Sequence, residues 1–152
     1  MNAIERVSWE YEYSVGVIEI DAQHKELMNM VNDLIGHSTD TKAERMMFFQ
    51  KATERAYYHL VKHFDTEERV LSKTDYEKMT DHKKEHENLK AKIKAIRSEL
   101  GNNNEDAAMN NLTITLKEYF LSHILLYDKE AKQFFQSGSK IMASTGFQEG
   151  IV

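Results

Sequence analysis

Not one of the 152 residues is proline, and that absence sets the range of folds open to the chain. Proline fixes φ and removes a backbone donor, so a chain without it can run long, unbroken helices. Glycines mark where such helices would stop: Gly36, Gly101 and Gly138 each follow an apolar repeat. The repeats themselves have helical period. Between 42 and 71, Phe49, Thr53, Ala56, Leu60, His63, Glu67 and Leu71 recur at steps of three and four, the seam of a bundle. Between 75 and 100 the stripe is Met79, His82, His86, Leu89, Ile93, Ile96 and Leu100.

Two further helices complete the set. Asp21 can cap one running to about residue 36, with His24, Leu27, Met28, Val31, Leu34 and Ile35 along one side. After a polar GNNNED stretch at 101–106, the last spans about 105–136. Leu112, Leu116, Tyr119, Phe120, His123, Tyr127, Ala131 and Phe134 face inward there. The expected fold is therefore all-α: a single domain, 1–152, built as an up-down-up-down four-helix bundle. An extended N-terminal arm, 1–19, precedes it. The arm's Trp9, Tyr11 and Tyr13 are expected to be buried anchors, because no second strand exists to pair with a short edge strand. Residues 137–152 have weak periodicity. They form either a loosely packed tail or a docking segment, and the sequence does not choose.

Composition narrows the chemistry. A formal charge of −5, with no block of lysine or arginine, argues against a nucleic-acid partner. With no cysteine there is no disulfide, iron–sulfur ligation or thiol catalysis. No apolar run approaches membrane-spanning length, and the N-terminus lacks a basic segment followed by an apolar one. A cytoplasmic protein with no membrane insertion is the expectation.

What stands out is polarity inside the seams. His63 and Glu67 lie four residues apart, as do His82 and His86, so each pair shares a helix face. A buried carboxylate is costly unless it is paired or bound to a metal. A single HxxxH pair often arises by chance, so the case rests on convergence. Antiparallel alternation brings His24, His63, Glu67, His82, His86 and His123 to one end of the bundle. Imidazole nitrogen with carboxylate oxygen suits iron, manganese or zinc. His37, beside Gly36, reads as a solvated residue favouring the helix dipole. His59 stands one turn before His63, but the seam passes through Leu60, so His59 reads as a bystander. Asp128 is five residues past His123, about 140° further round an ideal helix. Spacing alone favours it no more than Tyr127 or Glu130, unless curvature or a π-bulge turns it inward.

Taken together the motifs resemble the bacterial hemerythrins from Trp9 to about Phe135. Trp9, Ser14–Val17, Ile20–Asp21, Gln23 and His24 carry the resemblance, with HFDTEE at 63–68, His82 and His86, and HILLYDK at 123–129. It implies two non-haem irons, oxo- or hydroxo-bridged. One would be held by His82, His86 and His123, the other by His24 and His63, with Glu67 and Asp128 bridging. It also implies that the protein is not an enzyme but binds dioxygen reversibly at the iron with two histidines, for transport, storage or delivery. A sensor or scavenger module and a di-iron oxidase or peroxidase are the alternatives. Leu27, Phe64, Tyr119, Phe120 and Leu125 would line the oxygen pocket. A tryptophan and a smaller aliphatic residue are commoner in that family where Tyr119 and Phe120 stand.

Overall fold

The computed structural model describes residues 4–37, 41–100 and 105–149. Gly101 and most of the expected GNNNED loop lie outside them. Among the described residues there is no strand. A single 3-10 turn, Tyr11–Tyr13, interrupts the arm. Helices α1 (Ile18–Gly36), α2 (Lys42–Leu71), α3 (Met79–Glu99) and α4 (Glu105–Glu118) follow. The fourth leg continues through a π-helical segment, Tyr119–Asp128, into α5 (Lys132–Glu149). α1 packs on α2, α2 on α3 and α3 on α4, α1 meets α4, and α5 lies along α2. This is the expected four-helix bundle, and none of its helices is long and apolar enough to cross a membrane.

Local chemistry sets the helix ends, not always where expected. Thr41 caps α2 by accepting the Glu44 amide at 3.4 Å. Asp21 does not cap α1, which begins three residues earlier. Its carboxylate reaches back to the Ser14 hydroxyl at 2.6 Å and the Val15 amide at 2.9 Å, tying the arm to the helix. Gly16, at φ 74°, makes the reversal between them in a conformation that L side chains rarely adopt. α3 starts at Met79 rather than Asp75, because turns occupy the residues after Leu71. There the Thr74 hydroxyl bonds the Leu71 carbonyl at 2.7 Å and competes with helix formation.

The arm's aromatics divide. Tyr13 is buried and Trp9 packs on the core, whereas Tyr11 is 85% exposed on the outside of the 3-10 turn. Only two of the three are anchors.

Every seam residue expected in α2 is buried, as are those of α3 apart from the half-buried Met79. In the fourth leg the expectation fails after His123, for a physical reason. The Lys129 amide donates to the Ile124 carbonyl five residues back, and four-residue bonding returns when the Ala131 amide meets the Tyr127 carbonyl at 3.2 Å. The extra residue in the turn shifts the inward face. Phe135 becomes fully buried, and Phe134 is only partly so. Nor does the helix stop near 136. Gly138 is buried inside α5 against the Val70 carbonyl, where a Cβ would have no room. Its role is close approach between helices, not termination.

Two apolar clusters result. The larger fills the bundle from Val7 to Ile124. The smaller joins Val15, Val17 and Ile20 to Val70, Leu71, Tyr76, Ala131 and Phe135. Between them lies a layer of polar side chains.

Candidate metal centre

The polar layer draws one or two groups from each leg of the bundle. α1 supplies His24, α2 supplies His63 and Glu67, and α3 supplies His82 and His86. The π segment supplies His123 and Asp128. None of the seven is more than 2% exposed. Helical spacing accounts for the His63–Glu67 and His82–His86 pairs. The π segment accounts for Asp128: five-residue turns bring it back over His123, with Oδ1 at 3.1 Å from Nε2.

The two carboxylates are shared in a regular way. Glu67 Oε1 faces the Nε2 atoms of His86, His82 and His123 at 2.9, 3.2 and 3.7 Å. Its Oε2 faces those of His63 and His24 at 3.2 and 3.5 Å. Asp128 repeats the division: Oδ1 lies 3.3 Å from His82 and 3.1 Å from His123, while Oδ2 lies 3.1 Å from His24. Each carboxylate thus offers one oxygen to a three-histidine set and the other to a two-histidine set. All ligand atoms within each set fall within 4.8 Å of one another.

These distances fit two cations. Ligands about 2.1 Å from one ion and at right angles stand roughly 3 Å apart. The Nε2 atoms of His24 and His63 are 2.9 Å apart. Glu67 Oε2 and both oxygens of Asp128 are fully enclosed without a hydrogen-bond partner, as is His123 Nε2. Buried polar atoms in that state are expensive, and a shared cation pair satisfies them together. Two carboxylates offset half of the charge of two divalent ions, and five neutral imidazoles add nitrogen donors that suit such ions.

Electrostatics point the same way. Burial works against charge on His24, His82 and His123, but contacts with Asp128 and Glu67 outweigh it. The first two are pushed up to about 9 and His123 to about 10. Burial and the neighbouring His24 lower His63. Glu67 is held well below the usual carboxylate range despite its burial, by His63, His123 and His24. This is a cluster that gathers positive charge.

Behind the layer stand two groups that spacing does not reveal. His63 Nδ1 is 2.8 Å from Gln23 Oε1, and His86 Nδ1 is 2.9 Å from Glu68 Oε2. Both supports are sequence neighbours of ligand-type residues, which says nothing of where their side chains reach.

Of the pocket residues, Leu27, Phe64 and Tyr119 are buried and Leu125 is half-buried against the core. Phe64 stacks on His86 at 3.9 Å, and Tyr119 stacks on His123 at 4.8 Å while lying 6.2 Å from His63. The side chain of Phe120 lies outside what is described. Burial holds the Tyr119 phenol well above its ordinary value, with Glu67 and Asp128 adding to the effect, so it stays protonated. The remaining histidines are elsewhere. His59 turns to Glu26, 3.7 Å away, and His37, half-exposed at the end of α1, stacks on Phe48 at 3.6 Å.

Comparison with known proteins agrees with this geometry. A family model described as hemerythrin HHE cation binding domain matches residues 15–135. A bacteriohemerythrin of Clostridium acetobutylicum is 24% identical over 127 residues, which cover 80% of this chain and 95% of that protein.

Proposed function

Because the chain belongs to the hemerythrin family, we propose that its buried cluster holds two irons and binds dioxygen reversibly, for transport, storage or delivery. The carrying observation is the division of Glu67 and Asp128, each with one oxygen toward either histidine set. His82, His86 and His123 would hold one iron and His24 and His63 the other, with the two carboxylates bridging. When bound, two ferrous ions would supply the two electrons that dioxygen takes up, and the half with only His24 and His63 would offer fewer protein nitrogens than the half with His82, His86 and His123.

The chain's own residues favour binding without turnover. Leu27 and Phe64 close the site with apolar surface and exclude water. Tyr119 carries a neutral hydroxyl and so no charge to act as a base. Phe120 and Leu125 complete the proposed wall. A cytoplasmic setting is part of the same proposal.

Absorption spectra of the reduced, iron-loaded protein test this reading, with metal analysis on the same sample. Two irons per chain are expected, with a visible band that grows in air and fades when oxygen is removed. Steady consumption of oxygen with a reductant and no reversible band would replace the carrier with an oxidase or peroxidase.

A further inference from the structure

Two of the five inward histidines are gripped from behind, by groups of different charge. Behind His63 the direction of every hydrogen bond follows from one end. The Lys62 carbonyl can only accept, so the Thr66 hydroxyl, 3.0 Å away, donates to it. The oxygen of Thr66 is then left to accept from Gln23 Nε2, also at 3.0 Å. That turns the Gln23 carbonyl toward His63 Nδ1, which carries the hydrogen at 2.8 Å. The lone pair of His63 Nε2 is thereby fixed toward the site. Thr66 is only 4% exposed, so water does not readily loosen the chain.

Behind His86 the support is a carboxylate. Glu68 accepts from Nδ1 at 2.9 Å and leaves Nε2 facing Glu67 Oε1, also at 2.9 Å. At Nδ1 of His24, His82 and His123 no protein partner is present among the described residues. So each half of the site has one histidine anchored from outside, by an amide in one half and a carboxylate in the other.

We propose that Gln23 and Glu68 are positioning residues that fix the tautomers of His63 and His86 and make the two halves of the site electronically unequal. The inference rests on the reading that each half holds an iron. An imidazole that donates to a carboxylate is more basic, and a stronger electron donor, than one that donates to an amide. The three-histidine half therefore favours the ferric state more strongly. The two-histidine half is kept electron-poor, which opposes permanent oxidation at the position proposed for oxygen.

The test uses two nearly isosteric variants of the full chain, Gln23→Glu and Glu68→Gln, loaded with iron. Both should hold two irons per chain. Spectroelectrochemical titration should show a lower midpoint potential in Gln23→Glu and a higher one in Glu68→Gln. A tenfold change in the preference for ferric over ferrous iron corresponds to about 59 mV for one electron. A merely structural role would not give opposite signs. Gln23→Ala, which removes the acceptor, should weaken zinc(II) binding by about 10–100-fold in a chelator competition. Potentials that stay fixed, or move the same way in both charge variants, overturn the proposal. Should a charge variant fail to load iron, zinc decides: equal affinity in Gln23→Ala, Glu68→Ala and the parent overturns it as well. Failure of the parent itself to bind two irons would instead remove the di-iron reading, and that result is seen before any variant is made.

Discussion

His59 and His63 stand one turn apart on α2, yet only His63 enters the cluster. The difference is one of phase, since the buried seam runs through Leu60 and His63. Replacing His59 with alanine removes a partly exposed contact with Glu26 and should change stability by no more than about 1 kcal/mol. Its iron content should match the parent's, whereas His63→Ala should lose at least one iron. The opposite pattern in metal analysis would overturn the assignment of His63. Glu67→Ala should do more harm than His63→Ala, because it removes oxygens that face both histidine sets. Iron content should fall to one or none, and retention of two irons with an unchanged spectrum would rule Glu67 out as a bridge. At this scale the convergence of His24, His63, Glu67, His82, His86 and His123 was legible, because three-and-four spacing fixes a face. Gln23 and Glu68 were not, because their contacts depend on rotamers across a helix interface. Asp128 was suggested only by resemblance.

Asp128 belongs instead to the element that carries it. Side-chain periodicity assumes four-residue hydrogen bonding, and the segment Tyr119–Asp128 departs from it. It holds no proline or glycine, so nothing in its residue types announces the fifth residue. Downstream the same shift exchanges Phe134 for Phe135 in the core, which is why the inward face expected for the fourth leg fails just after the last histidine. The continuation to Glu149 was equally hidden. α5 approaches α2 closely at Gly138, a residue with no side chain to add to an apolar pattern. Gly138→Ala tests that packing. Its new methyl meets the Val70 carbonyl, which is backbone and cannot turn aside, and overpacking of this kind costs about 1–3 kcal/mol. Urea unfolding should show that loss, while Ser137→Ala, at an exposed neighbouring position, should stay within about 0.5 kcal/mol. A Gly138→Ala midpoint equal to the parent's would mean that the two helices do not pass so closely.

For the molecule as a whole, the cluster couples stability to both pH and metal. In the iron-free protein His24 and His82 are pushed up to about 9 and His123 to about 10, against about 6.5 for an unfolded histidine. Their folded state therefore keeps protons that the unfolded chain has released. That contribution is complete below about pH 6.5 and is lost as pH rises through about 9 to 10. Glu67 and Asp128, both depressed, act at the other end. They add stability above the unfolded carboxylate value of about 4, and it is lost as pH falls. His63, which burial lowers, works weakly against folding in acid. The iron-free chain should thus be most stable between roughly pH 5 and 7 and should weaken steadily toward pH 10. Metal replaces those protons as the source of positive charge, because an imidazole must be deprotonated to act as a ligand. Iron loading near neutral pH should accordingly release protons, measurable in weakly buffered solution. It should also flatten the alkaline decline while leaving the protein sensitive to acid, where protons compete for the same nitrogens. Thermal midpoints from pH 5 to 10, with and without iron, compare the two directly. An iron-free protein that gains stability between pH 7 and 9.5 would show that the buried histidines are not holding protons, and the charge balance drawn for the cluster would be wrong.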